Sequence, residues 1–275
     1  MNGASDVRRR LLSSRLLSPE TLDLQMALWR ERSTAAVDGE GLVEWLIAQH
    51  LLSEFQGAAI LAGHTGPFLL GPYRVYERIV AGRLGPVFRA VHDELDQPVS
   101  LKIFPTSLHA DHENLARMHR ETQLAVMLDH PHVVRTFHAG QIGAIHYLAF
   151  EDLAGDSLEA RLAQRQRLPY GEACALVRQA ALGLDYLHER QIVHRDLRPG
   201  TLWLHAAGTV KVMELGAARD VLGSKDGGME LTTANTILGS FAYMAPEQAQ
   251  DPRKADARSD IYALGCTLFH CLTGQ

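Results

Sequence analysis

The sequence has little of what marks secreted, membrane-spanning or nucleic-acid-binding chains. Its 275 residues hold three cysteines, Cys174, Cys266 and Cys271, with no metal-like pairing. A disulfide framework is therefore not expected, and a reducing cytoplasm is the default location. No apolar run approaches the roughly 20 residues that span a bilayer. The basic Arg8-Arg9-Arg10 stretch is not followed by the apolar segment of a signal peptide. There is no excess of positive charge: 27 Lys and Arg stand against 32 Asp and Glu, a net charge of -5. Such a chain has no general attraction for nucleic acid or anionic lipid. Nothing repeats at a fixed period. Apolar residues make up 46% and charged residues 21%, so a core can form and a disordered composition is excluded.

The first 66 residues read as a small helical module. Ser18-Pro19-Glu20 is a helix start, with Ser at the cap, Pro at the first helical position and Glu in the first turn. Leu22, Met26 and Trp29 come next at helical spacing. After the break at Asp38-Gly39-Glu40-Gly41, Leu42, Leu46 and Ile47 form one face of a second helix, and Ser53 can cap a third. Gly63, Gly66 and Pro67 end this module, which a short linker tethers to the next domain. From Tyr73 the texture changes to short apolar segments separated by glycines, the pattern of hairpin strands. Strands are expected around Val75, Val87 to Val91, Val99 to Phe104, Val133 to His138 and His146 to Phe150, with a helix over 111–128. After Gly155 the chain reads as mostly helical.

Two weak signals lie in the β-rich part. Gly82-Arg83-Leu84-Gly85 sits between two strands, where glycine exposes backbone N–H donors to phosphate; an ordinary hairpin turn gives the same string. Lys102 ends the apolar strand Val99-Ser100-Leu101, and can point into a cleft or lie on an edge. Nineteen residues later Glu121 falls on the expected helix, at a separation that allows a bracing ion pair.

A stronger signal is Ile192-Val193-His194-Arg195-Asp196-Leu197-Arg198-Pro199. After it come Glu214-Leu215-Gly216, then Gly239 to Glu247 ending in Ala245-Pro246-Glu247, and then Arg258-Ser259-Asp260. Order and spacing resemble the bacterial serine/threonine protein kinases over about residues 71 to 275. The resemblance implies an α+β, bilobal fold: a helical extension at 1–66, a β-rich N-lobe at 71–153 and an α-rich, partial C-lobe at 154–275, ending after its central helix. It further implies ATP and Mg²⁺ as cofactors and a protein substrate or binding partner. Asp196 takes the role of the carboxylate that orients the substrate hydroxyl and accepts its proton, with Arg198 in place of the usual lysine. Lys102 and Glu121 join it in the catalytic set. Val80 (where kinases carry the first glycine), Gly82, Gly85, Val87, Ser100, Lys102, Glu151, Leu153 and Trp203 line the nucleotide site. Phe150 is the gatekeeper and Glu151 to Leu153 the hinge. Thr201 and Glu214 stand at the two metal-ligand positions.

Several positions depart from the kinase pattern. Glu214 replaces the aspartate of Asp-Phe-Gly and Thr201 the asparagine, and Mg²⁺ tolerates little distortion of its octahedron. Ser100 replaces a small alanine, and Trp203, in place of leucine beneath the adenine, can fill the pocket or stack on the base. With the chain ending at Gln275, Glu247 is expected as an unpaired buried carboxylate, which is costly. The central helix is expected to show apolar surface to a partner, unless the sequence is a fragment or degraded copy. Leu264, Leu268, Phe269 and Leu272 are expected in the core. The histidines His109, His112, His119, His130, His132 and His138 lack an acid or cysteine to complete a metal site, and the charged run Arg161 to Arg167 reads as an exposed helix face. The expected function is ATP-dependent phosphorylation of protein Ser/Thr, in weakened form; the alternative is a pseudokinase, a binding or scaffold module.

Overall fold

A computed structural model describes residues 3–32, 38–80, 85–104, 122–123, 125–215, 219–220 and 241–275. The fold is α+β and divides into two compact units, Met1–Phe104 with Gly140–Tyr147, and Pro105–Ala139 with Leu148–Gln275.

The first unit opens with helices α1 (Ala4–Ser14), α2 (Pro19–Arg32), α3 (Gly39–Ala48) and α4 (Glu54–Leu61). Their starts obey local chemistry. The Ser18 hydroxyl accepts the Thr21 N–H at 3.1 Å, and Asp38 accepts the Gly41 N–H at 2.8 Å. Ser53 and Gln56 make a reciprocal capping box, 3.1 and 3.0 Å. Val7, Leu11, Leu22, Met26, Trp29, Leu42, Leu46 and Ile60 are buried between these helices. Gly57 lets α4 approach α3: a Cβ there would come within 2.7 Å of Ile47 and 2.8 Å of Val43.

The same unit holds the strands β1 (Leu69–Leu70), β2 (Tyr73–Val80), β3 (Val87–His92) and β4 (Gln97–Phe104), paired antiparallel in sequence order. The six-stranded order β1-β2-β3-β4-β6-β5 is completed by the hairpin β5 (Thr136–Ile142) and β6 (Ile145–Glu151). The β2–β3 register shifts twice, between Val75 and Glu77 and between Arg78 and Val80. Each shift inserts an unpaired residue and adds twist. Helices and sheet meet at α4, where Phe55 packs on Phe68 and Phe88 with ring centroids 6.3 and 5.8 Å away.

In the second unit, β7 (Gly155–Ser157), α5 (Leu158–Arg165) and α6 (Tyr170–Glu189) lead to β8 (Ile192–Val193), β9 (Leu202–His205), β10 (Val210–Val212) and β11 (Arg219–Asp220). The helices α7 (Pro246–Gln250) and α8 (Ala257–Thr273) come last. Leu158, Leu184, Leu187, Leu202, Leu204, Val212 and Leu264 lie in one core between α6, α8 and the small sheet β10-β9-β7.

The described parts of most expected elements agree in place and type. The strand expected from Val133 begins at Thr136 instead. Val133 and Val134 are drawn to β10, with Val134 N–H donating to the Val212 carbonyl at 3.0 Å. Phe269 is not a core residue: it is 58% exposed. It shares the outward stripe of α8 with Ile261 and Gly265, at i, i+4, i+8 spacing. Leu264 is buried, and Leu268 and Leu272 pack partly against the core. The 111–128 helix lies mostly outside the described residues; 122, 123 and 125 are helical. Among the described residues no helix is long and apolar enough to cross a membrane, and no cluster of His, Cys, Asp or Glu could hold a metal ion. His132 instead bonds the Val210 carbonyl at 3.0 Å and His130 stacks on Tyr186 at 4.7 Å.

Candidate active site

The segment His194 to Thr201 is held by one buried carboxylate. Asp260, in the first turn of α8 and 1% exposed, accepts the backbone N–H groups of His194 and Arg195, both at 2.8 Å. The same carboxylate meets His188 Nε2 of α6 at 2.8 Å. Three donors on one buried anion satisfy it without water. The anchor also holds strain: Arg195 has a φ of 67°, a left-handed backbone that costs a non-glycine residue on the order of 1 kcal/mol or more. The Arg195 carbonyl is taken by the Gln248 amide of α7 at 2.7 Å. His194 is fully buried and uses both ring nitrogens. Nδ1 accepts the Asp196 N–H at 3.3 Å, so the proton sits on Nε2, which donates to the Met213 carbonyl at 3.0 Å.

Asp196 comes next on this fixed backbone, its side chain 12% exposed. Arg198 Nε stands 3.9 Å from its carboxylate, and Nη1 of the same guanidinium lies 3.6 Å from Glu159 on α5. Gly200 makes room for that guanidinium, since a Cβ there would come within 2.2 Å of Arg198 Nη1. Thr201 closes the turn. Its fully buried hydroxyl accepts the Arg198 N–H at 3.1 Å and faces the carbonyls of Arg198 and Asp196 at 3.0 and 3.3 Å. A hydroxyl has one proton and two lone pairs, so one lone pair is left.

A buried carboxylate that fixes a strained His-Arg-Asp turn, with a helix opening at Pro246-Glu247 beyond it, accords with the resemblance drawn from the sequence, and comparison with known sequences agrees. The family model described as protein kinase domain matches residues 73–275. The chain belongs to the protein kinase family. Its relatives include the serine/threonine-protein kinase PrkC of Bacillus subtilis, 33% identical over 210 residues, which cover 76% of this chain and 32% of that protein. The kinase pkn3 of Myxococcus xanthus is 35% identical over 217 residues, 77% of this chain and 39% of its own. The kinase PknL of Mycobacterium tuberculosis is 31% identical over 203 residues, 74% and 49%. The chain thus spans about a third to a half of the length of these relatives.

Around the kinase loop, β9 and β10 divide their side chains by the two-residue strand period. Leu202, Leu204, Val210 and Val212 enter the core. Trp203 and its cross-strand partner Lys211 take the other face. There the Trp203 indole N–H donates to the carbonyl of Leu153, at the expected hinge, at 3.2 Å, and the ring is buried. Lys211 pairs with Glu151 at 2.7 Å, and Glu151 also accepts the Arg135 N–H at 2.8 Å. The Glu151 side chain is therefore committed to its own unit, and what this stretch offers a ligand is backbone. Phe150, the expected gatekeeper, is buried beside it.

Glu214 sits just past β10 at a φ of 67°, half-buried and without a partner among the described residues. As a donor set for a hard cation, its open carboxylate fits and the Thr201 hydroxyl, already engaged three ways, fits poorly. In the first unit, Lys102 is buried near the C-terminal end of β4, opposite Val87 of β3, with its ammonium 5.6 Å from the Phe104 ring centroid. Ser100 is fully buried and pairs with Arg89. Val80 closes β2, and Gly85, with a φ of 149°, leads into β3. Gly82 and Glu121 lie outside the described residues.

Two residues that hold this loop carry no assignment from sequence: Asp260 and Gln248. Asp260 stands there only as part of the Arg258-Ser259-Asp260 motif, with no role given to its side chain. Glu247 departs from its expected state. It is half-buried and accepts the Ser259 hydroxyl at 2.7 Å, a bond that lowers its pKa together with backbone hydrogen bonding. It is not an unpaired buried carboxylate, because the first turn of α8 supplies a neutral partner.

Proposed function

We propose that the chain is the kinase portion of a bacterial-type serine/threonine protein kinase and transfers phosphoryl groups from ATP to protein hydroxyls, with a weakened hold on metal. The observation that supports this most is the intact placement of Asp196. Its backbone is fixed through His194 and Arg195 on Asp260, and its carboxylate stays in reach of solvent beside Arg198. A carboxylate so held can orient a serine or threonine hydroxyl and take its proton. Arg198 balances the charge of Asp196, and its second contact, with Glu159, keeps the guanidinium from folding over the carboxylate.

ATP supplies the phosphoryl group when bound, and Mg²⁺ offsets its charge. Glu214 is assigned to the cation, with Thr201 as a poor second ligand. Lys102 is assigned to the α/β-phosphates and Glu121 to bracing it. Val80, Gly82, Gly85 and Val87 are assigned to covering the phosphates. Ser100, Trp203 and the Glu151–Leu153 backbone are assigned to the adenine. Three free cysteines suit a reducing cytoplasm.

A second reading is favoured by one observation. The Trp203 N–H already occupies a hinge carbonyl from inside the fold, as a base would from outside. On that reading the domain is a pseudokinase scaffold. Thermal shift with ADP or ATP, with and without Mg²⁺, and then transfer to a generic Ser/Thr substrate, separates the two. The kinase reading expects binding and a transfer rate that Asp196→Asn lowers by about 10²–10⁴-fold while Tm stays unchanged. Transfer that survives Asp196→Asn, or a folded protein that binds no nucleotide, overturns it.

A further inference from the structure

The helices that precede the kinase sheet are bonded into it at one buried point. Gln56 is 3% exposed, and both ends of its amide are used. Its Oε1 accepts the Ser53 N–H at 3.0 Å, closing the cap of α4. That fixes the orientation of the amide, so the NH₂ faces the sheet, where it donates to the Val75 carbonyl at 2.7 Å. Val75 is the last residue before the first register shift of β2. The backbone of Val75 is held on its other side too, its N–H on the Phe68 carbonyl at 2.8 Å. Next to Gln56, Phe55 packs on Phe88, the second residue of β3. One turn of α4 therefore touches both strands of the hairpin that ends β2 at Val80 and starts β3 at Val87.

We propose that Gln56 is a positioning residue for the β2–β3 hairpin, and that the helical extension is a fixed brace that sets how this hairpin meets a nucleotide. The inference rests on the nucleotide-binding reading above. The physical reason is the bulge. A hairpin with two register shifts has lost part of its ladder and can twist in more than one way. A hydrogen bond to a buried carbonyl at the first shift, made by a side chain whose other end is tied to a helix cap, selects one of those twists. A surface helix resting on the sheet through apolar contacts alone has no such directional tie.

Gln56→Glu separates the two jobs of the side chain. A glutamate at this position still accepts the Ser53 N–H, as capping boxes commonly do, but as a carboxylate, at a pH where it is ionised, it can no longer donate to the Val75 carbonyl. Ser53→Ala does the reverse, weakening the cap and leaving the amide able to reach Val75. Hydrogen exchange and ADP affinity are measured on the full chain for both. The expected result for Gln56→Glu is faster exchange over Tyr73–His92 and ADP binding weakened about three- to tenfold. For Ser53→Ala it is a lower Tm with ADP affinity within twofold of the parent. Phe55→Leu, which thins the second contact, is the milder companion should Gln56→Glu fail to fold, and is expected to move exchange the same way. Equal losses of affinity for Gln56→Glu and Ser53→Ala overturn the positioning role, because a general loss of stability explains both. Unchanged exchange in β2 and β3 overturns the brace itself. If the parent binds no nucleotide, the kinase reading fails and the positioning role falls with it, whereas exchange still reports whether the brace exists.

Discussion

The catalytic loop and strand β9 adjoin in sequence and have been treated very differently. In the loop the backbone is tied down at each step: Asp260 takes two N–H groups, His194 spends both ring nitrogens, and Gln248 covers a carbonyl. Just downstream, the positions that would handle ligands have turned inward. Thr201 spends its hydroxyl on the loop's own backbone, and Trp203 donates to Leu153. On the proposed reading, the kinase framework is preserved where it would position the base, and altered where it would meet metal and adenine. A scaffold under no demand for chemistry has no physical need of a pre-positioned Asp196 in reach of solvent. A fully active kinase has no need of an indole on its hinge. The contrast between these two stretches is what experiments can break.

The largest effect is expected at the anchor. Asp260→Ala leaves the buried His194 N–H and the half-buried Arg195 N–H without their acceptor, each costing about 1–3 kcal/mol at most, and removes what holds the left-handed Arg195. Stability should fall by roughly 3–5 kcal/mol, lowering Tm by about 10 °C, and any transfer activity should vanish with it. Differential scanning calorimetry checks this. A Tm unchanged within about 2 °C would mean that the loop is held elsewhere, and the contrast with β9 would lose its basis.

Repairing the metal positions is the next test. Glu214→Asp with Thr201→Asn restores a short carboxylate and an amide carbonyl. If phosphoryl transfer is limited by cation placement, the rate should rise about tenfold or more, which is about 1.4 kcal/mol of barrier. The gain should require Mg²⁺ and disappear when Asp196→Asn is added. Thr201 is fully buried and staples the turn, so a Tm measurement must accompany the rates. A folded double variant with no gain places the limit elsewhere, with Trp203 the next suspect.

Much of this is legible in the sequence, and what is not has a common cause. Helix starts at Ser18 and Ser53, the strand at Val99 to Phe104 and the order of the kinase motifs are local patterns, and the fold obeys them. Asp260 bonds residues 65 and 66 positions earlier, and Gln56 bonds one 19 positions later. Neither partner is marked by spacing or composition, because the acceptor or donor is plain backbone. Thr201 reads as a degraded metal ligand, and only its contacts show a second occupation as a staple. Apolarity alone places Phe269 inside, although its helical register with Ile261 and Gly265 points outward.

The smallest expected effect, and the one that sharpens the contrast most, concerns Trp203. Two substitutions divide what the indole does. Trp203→Phe keeps most of the ring and removes the N–H, leaving the Leu153 carbonyl to other donors. Trp203→Leu also clears volume on the face shared with Lys211 and Glu151. The ring is buried, so either change costs stability, on the order of 1–3 kcal/mol for the leucine. If the N–H competes with the base for the hinge, both variants should bind ADP about three- to fivefold more tightly, near 1 kcal/mol. If bulk is the obstacle, only Trp203→Leu should gain. Isothermal titration with ADP and Mg²⁺ distinguishes the cases. Weaker binding in both variants would assign the indole to stacking on the base, and Trp203 would then be part of a working nucleotide site in an altered kinase.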